Sequence, residues 1–288
     1  MTRNVTVGLD GSRESLAAAR WAALEAVRRR LPLRIVQVRE PHPRLLPSVE
    51  PEAQEGWERI ADEAAAGLVR EHPGLEADVE RLAGRPAEVL RDAAGGAEVL
   101  VLGSRGRGTL AGFLVGSVAL STVAHVECPV VLVRAGAEDG EAPAEPEGDV
   151  VVGVDLSRPH DEIAAFAFGA AARRGTGLEV LHGWDPPPVY GIGPVAMSPH
   201  LLDDLAEEKA LALDRALRPW RQRYPEVAVR PRTVVGRVSH HLLDAAEHAC
   251  LVVVGRRSRR SPLGFHTGPV THAVMHHCAA PVAVVPHG

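Results

Sequence analysis

Short runs of β-branched and aliphatic residues alternate along this chain with longer stretches whose apolar residues recur at helical spacing. Asn4 to Leu9, Leu33 to Val38, Ala77 to Leu82, Val99 to Leu102 and Val130 to Val133 have the first character and are predicted to be strands. Ser12 to Arg30 opens on a good cap residue and sets Leu16, Ala19, Ala23 and Val27 along one face, which predicts a helix. Trp57 to Glu71 and Pro86 to Ala94 continue the helical pattern, with Pro86 suited to a first turn, and a further helical run ends near His125. Strands as continuously apolar as Glu98 to Gly103 must be covered on both faces, which is the signature of a parallel sheet between helices. In the second half the same alternation puts strands at Asp149 to Val154, Leu178 to His182, Val227 to Val235, Leu251 to Val254 and Val282 to Val285. The predicted fold is α/β, as two tandem, doubly wound domains, each a five-stranded parallel sheet. Ligands of such sheets bind beyond the carboxyl ends of the strands where the strand order reverses, which points to the loops after the first and fourth strands.

The halves are copies of one another. Val7-Gly8-Leu9-Asp10-Gly11-Ser12 returns as Val152-Gly153-Val154-Asp155-Leu156-Ser157, an offset of 155 − 10 = 145. Gly84-Arg85 returns as Gly236-Arg237, Gly103 as Gly255, Gly116 as Gly268 and Pro129 as Pro281, all at an offset of 152. The seven extra residues (152 − 145 = 7) fall in the proline-rich stretch from Asp185 to Pro199. Residues 135–148, acidic and rich in Pro, Gly and Ala, form a linker by composition, between a domain at 1–134 and another at 149–288. At 288 residues the chain is long enough for two cores. A net charge of −5 without a long basic block argues against wrapping nucleic acid or an anionic membrane. With no apolar run of signal-peptide or membrane-spanning length, a cytoplasmic protein is expected. Cys128, Cys250 and Cys278, widely spaced beside apolar runs, read as buried free thiols.

The richest candidate chemistry follows the fourth strand, where Gly103, Gly106, Gly108, Gly112 and Gly116 punctuate the chain before Ser117 opens a helix. Glycine allows main-chain amides to approach an anion, and a helix amino terminus offers free N–H groups where phosphate is favoured. Arg105 and Arg107 lie nearby, either as added charge or as solvated loop residues. There is no Gly-Lys-Ser/Thr, so this is no Walker loop, and a dinucleotide fingerprint would follow the first strand instead. Asp10 and Asp155 suit a turn or helix cap, a role compatible with touching a ribose. His272 and His276, four apart in a predicted helix, have a metal-compatible spacing without an evident third ligand and read as structural. The arginines at 256, 257, 259 and 260 read as a solvated basic loop, and Trp184 with the prolines after it as a cap over the mouth of the second domain.

Gly103-x-x-Gly106, nine residues, then Gly116-Ser117 resembles the nucleotide-binding pattern of the universal stress protein family. Asp10 after the first strand, Gly84-x-Pro86 and the final Cys128-Pro129-Val130-Val131-Leu132-Val133-Arg134 strengthen the likeness, which spans nearly the whole chain twice. The resemblance implies that Asp10 contacts the adenosine, that the main chain of Val38 meets the adenine, and that Gly103, Gly106, Gly116 and Ser117 hold the triphosphate of ATP, with Mg²⁺ carried by the phosphates. It also implies that the final strands, Val130 to Val133 and Val282 to Val285, pair across an interface, either within the chain or in a homodimer. The second copy departs from the pattern: it keeps Asp155, Gly255 and Gly268 but has Ser258 and Pro269 for the second glycine and the serine, so a weakened site is expected there. The implied function is an ATP-binding stress-response sensor or regulator with at most weak ATPase activity, since no residue pattern nominates a catalytic base. A nucleotide-free, dimerising interaction module and a nucleotide hydrolase are the alternatives.

Overall fold

Val5, Val7 and Leu9 lie on one face of the first strand (β1, Asn4–Leu9) and are all buried, because parallel neighbours close both of its edges. The computed structural model describes residues 3–40, 50–104, 115–135, 147–158, 160–186, 199–258 and 267–288. In the first half β1 is followed by α1 (Arg13–Arg29), β2 (Leu33–Arg39), α2 (Glu50–Glu71), β3 (Ala77–Ala83), α3 (Pro86–Ala93), β4 (Ala97–Gly103), α4 (Ser117–His125) and β5 (Val130–Val133). The second half repeats the order with β6 (Asp149–Gly153), α5 (Asp161–Arg174), β7 (Leu178–Trp184), α6 (Pro199–Arg223), β8 (Val229–Val235), α7 (Val238–Ala246), β9 (Ala249–Arg257), α8 (Pro269–His277) and β10 (Val282–His287). Gly84 and Gly236 leave the third strand of each half at φ of 143° and 88°, where a side chain is strained, which accounts for the recurring Gly-Arg.

Among the described residues ten strands form one continuous sheet in the order β3-β2-β1-β4-β5-β10-β9-β6-β7-β8. Every pairing is parallel except the central one, where β5 and β10 run antiparallel with Leu132 opposite Val282 and Val130 opposite Val284. The two final strands therefore pair within the chain. Each half is doubly wound: the chain runs outward from β1 through β2 to β3, then crosses to β4 on the other side, so the strand order reverses between β1 and β4, and again between β6 and β9. One face of the sheet packs against α1, α2, α5 and α6, and the other against α3, α4, α7 and α8. The outer edge at β8 carries Arg230, Pro231 and Arg232, which discourage pairing with another chain.

The buried face of α1 differs from the expected one. Its centre is an alanine stripe, Ala18, Ala19, Ala22, Ala23 and Ala26, while Leu16 is half-buried and Val27 is 46% exposed. Alanine lets the helix lie close on the sheet, and the helix has a second buried side facing α5. There the halves exchange aromatic and cationic groups: Arg174 lies over the Trp21 ring and Arg29 over the Phe166 ring, each 5.4 Å from the centroid. These are equivalent pairs, since 21 + 145 = 166 and 29 + 145 = 174. Between them Glu25, 1% exposed, takes Arg29 Nε at 2.6 Å and Arg174 at 2.7 Å.

A second exchange ties helix carboxyl ends across the seam. Arg134, just after β5, donates to the carbonyls of Met275, His276 and Cys278 at the end of α8. Arg256, in β9, donates to those of Ala124 and Val126 at the end of α4. A cation there complements both the unpaired carbonyls and the helix dipole. Arg256→Met, which keeps the apolar stem, is expected to lower unfolding stability by about 1–3 kcal/mol through those abandoned carbonyls, as measured by urea denaturation.

Candidate functional site

The carboxyl edge between β1 and β4 is built by three short segments. Asp10 follows β1, and its Oδ1 accepts from the Ser12 amide at 2.9 Å and the Ser12 hydroxyl at 2.6 Å. Ser12 in turn caps α1 by accepting from the Ser15 amide at 3.2 Å, and the Ser15 hydroxyl accepts from the Gly11 amide at 3.1 Å. Asp10 thus shapes the turn into α1 while staying at the edge of the sheet, half-buried. Opposite it, Gly103 ends β4, and a Cβ there would come within 2.8 Å of Glu14 C and Ser15 N. The glycine is needed first of all because the main chain of α1 passes over it.

Ser104 and Gly116 are brought together next. The Ser104 amide donates to Val133 at 2.8 Å, and its carbonyl accepts from the Gly116 amide at 2.8 Å. Gly116 is the N-cap of α4, with no side-chain cap bond and no acid in the first turn, and Ser117 stands exposed at the first helical position. Val38 lies one residue beyond the β1–β2 ladder, whose last pair is Leu9 and Gln37, so its main chain reaches the same edge. Gly106, Arg105 and Arg107 lie outside the described residues.

Pattern reading missed Gln37, which is fully buried beside this edge. Its Nε2 donates to the Trp57 carbonyl at 2.7 Å, while its Oε1 is buried without a partner among the described residues. An acceptor-bearing amide among apolar neighbours in a strand was the available signal. The Ser104 hydroxyl is likewise buried without a partner among the described residues.

The equivalent edge of the second half is furnished differently. Asp155 Oδ1 accepts from the Ser157 amide at 3.0 Å and hydroxyl at 2.6 Å, but the helix begins only at Asp161, with His160 as its N-cap. Partial burial pushes the Asp155 carboxyl up, yet the Ser157 hydrogen bonds and the charges of His182 and Arg257 outweigh it and hold the group below its usual range. Around Gly255 the space is taken: a Cβ would strike Ile163 Cδ1 and come within 2.9 Å of the His287 ring, and the Thr271 hydroxyl donates to the Gly255 carbonyl at 2.7 Å. β9 stays in the sheet through Arg257, two residues past Gly255, and the Ser258 amide donates to His287 at 2.7 Å. Gly268 caps α8, followed by Pro269, which lacks both N–H and hydroxyl.

Two other expectations change. Arg256 is no solvated loop residue but a strand residue 4% exposed, while Arg259 and Arg260 lie outside the described residues. Trp184 ends β7 and is buried rather than spread over a mouth, and the prolines at 187 and 188 lie outside the described residues. His272 and His276 stack with ring centroids 4.3 Å apart, and among the described residues no group of three His, Cys, Asp or Glu could hold a metal ion. Cys250 and Cys278 are buried and Cys128 is half-buried, with burial pushing the Cys128 and Cys278 thiols up to about 11.

Two doubly wound domains joined through their final strands, each with a glycine-marked edge at its switch point, define a class of tandem α/β proteins. The chain belongs to the universal stress protein family, whose model matches residues 1–134 and again 148–286. It is 34% identical over 291 residues to a universal stress protein of Mycobacterium tuberculosis, covering 97% of this chain and 96% of that one. A relative from Mycolicibacterium smegmatis is 32% identical over 294 residues, covering 98% of this chain and 96% of the other. The crystal structure of a universal stress protein from Archaeoglobus fulgidus shares the fold over 100% of both chains, with a TM-score of 0.69 at 18% identity. No helix among the described residues is long and apolar enough to cross a membrane.

Proposed function

We propose that the first domain binds an adenine nucleotide, ATP with Mg²⁺ on its phosphates, and that the chain is a stress-response regulator whose nucleotide state biases its shape or assembly. The uncapped amino terminus of α4, pinned beside the end of β4 at the switch point, supports this most directly. First-turn amides that meet no capping side chain among the described residues and no acid in the turn, next to an exposed Ser117 hydroxyl, fit a phosphate. Gly106, Gly116 and Ser117 would hold the phosphates, Asp10 the ribose and the Val38 main chain the adenine, while Gly103 keeps α1 close enough for Asp10 to take part. The nucleotide brings negative charge and its own cation, and the chain contributes oriented amides rather than a base to activate water, which favours a sensor over a hydrolase. The second domain, with Ile163, His287 and Thr271 around Gly255 and proline at the start of α8, is assigned a supporting role.

Calorimetric titration of ATP and Mg²⁺ into nucleotide-free protein tests the assignment, beside Gly116→Val and Gly268→Val. About one site per chain is expected. Gly116→Val should weaken it by about tenfold or more, because a branched side chain at the N-cap obstructs amides whose bonds to a charged group are worth about 1.5–3 kcal/mol each. Gly268→Val should leave affinity unchanged. No binding to any form would overturn the proposal in favour of the nucleotide-free interaction module.

A further inference from the structure

The main chain leading into α4 is held from two sides. The Gly116 amide is tied to Ser104 in its own domain, and the Val115 amide, one residue earlier, points at His276 Nδ1 on α8 of the other domain at 3.4 Å, in a buried setting. The Val115 side chain is buried in the same apolar cluster as Val274, Met275 and Cys278 of that helix. His276 is itself firmly placed: it is buried, its ring stacks on His272, and its carbonyl accepts from Arg134 at 2.8 Å. Arg134 belongs to the first domain, so the two halves brace each other around this point.

We infer that His276 is a positioning residue, contributed by the second domain to the nucleotide site of the first, an inference that rests on the nucleotide reading above. It fixes Val115 so that, with the Gly116 amide held by Ser104, the first turn of α4 from Ser117 onward faces the phosphate position before ligand arrives. Preorganisation of this kind raises affinity by removing an ordering cost from binding. The site in the first domain is then complete only in the tandem chain.

The arrangement depends on the protonation of one ring. The Val115 N–H donates, so Nδ1 must carry its lone pair, and the proton of the neutral ring sits on Nε2. Burial, then the neighbouring His272 and His277 on its own helix and Arg134 from across the seam, hold the His276 pKa below the usual histidine value of 6.5. The ring is neutral at neutral pH and accepts. As pH falls through its lowered pKa the ring gains a proton at Nδ1, donor meets donor, and the anchor is lost.

The test is the affinity of the full chain for ATP with Mg²⁺, measured from about pH 8 down to about pH 4.5, well below the usual histidine value, for wild type, His276→Asn and His276→Leu. Asparagine presents an amide oxygen near the Nδ1 position and never titrates, whereas leucine offers no acceptor. The Leu variant is expected to bind about tenfold more weakly at the higher pH, and the Asn variant within about threefold of wild type. As pH falls through the lowered His276 value wild type should lose affinity that the Asn variant keeps, a comparison that cancels the titration of the nucleotide's own phosphates. A merely structural histidine would lower the melting temperature of the Leu variant without separating the wild-type and Asn pH profiles. Should the Leu variant fail to fold, those two profiles alone decide. Parallel profiles, or a Leu variant with wild-type affinity, overturn the inference while the nucleotide reading stands. Absence of wild-type binding at every pH overturns both.

Discussion

Replacing Glu25 with alanine is expected to lower the unfolding free energy by about 3–5 kcal/mol, the cost of leaving buried Arg174 without its anion while Arg29 keeps only Glu98, at 3.4 Å. The carboxylate is 1% exposed and is shared by Arg29 of its own helix and Arg174 of α5, with Arg173 at 3.9 Å. The side chains of Arg29 and Arg174 are themselves only 7% and 2% exposed, so solvent cannot take over the lost role. Burial pushes the Glu25 carboxyl up, but Arg174, Arg29 and Arg173 together outweigh it and the group stays below its ordinary 4.5. A carboxylate with a depressed pKa contributes stability that is fully present above 4.5 and is lost as pH falls through the lowered value. Urea denaturation across that range should therefore show an acid limb in wild type that is flatter in Glu25→Ala. A double-mutant cycle with Arg174→Ala should return a coupling well beyond the roughly 0–1 kcal/mol of a surface pair. A loss like that of a surface pair would mean that the cluster relaxes into water and does not hold the halves together.

The second large effect is expected at Gly103. An added methyl would meet main-chain atoms, Glu14 C and Ser15 N at 2.8 Å, and main chain in a helix cannot turn aside as a side chain does. Gly103→Ala should therefore cost about 1–3 kcal/mol as α1 is pushed off the sheet. Because Ser12 and Asp10 move with the start of that helix, nucleotide affinity should fall too. At the equivalent Gly255 the obstacles are the Ile163 and His287 side chains, which can shift, so Gly255→Ala should cost less. Thermal melts of the two variants side by side check the order; equal losses would show that α1 yields as easily as a side chain.

Much of the fold was legible because parallel strands buried on both faces announce themselves as unbroken apolar runs. β1, β5 and β6 begin where those runs begin, and the repeat foretold a second domain wound like the first. α2 starts earlier than its apolar pattern, at Glu50 rather than Trp57, because its first turns are polar. What local pattern could not reach were roles assigned by distant partners. Nothing in the local pattern singles out Glu25, whose role is set by Arg174, 149 residues away. Arg256 reads as loop until β10 and the end of α4 receive it. At the candidate site Asp10, Gly103, Gly116 and Ser117 were visible as a spaced set, whereas Gln37 and His276 matter through tertiary placement alone.

The antiparallel seam between β5 and β10 fuses what would otherwise be two identical subunits into one heritable unit. In a homodimer every substitution appears on both sides of the axis, so an acid at position 25 would face its own copy across the same helix pair. Here the counterpart of Glu25 is Ala170 (25 + 145), and that of Ser104 is Arg256 (104 + 152). One glutamate can then serve arginines from both halves without its own copy facing it across the helix pair. Repetition within a single chain thus releases each half from mirroring the other, and their carboxyl edges are furnished differently, with Ser12 capping α1 in one and Thr271 and His287 packed about Gly255 in the other.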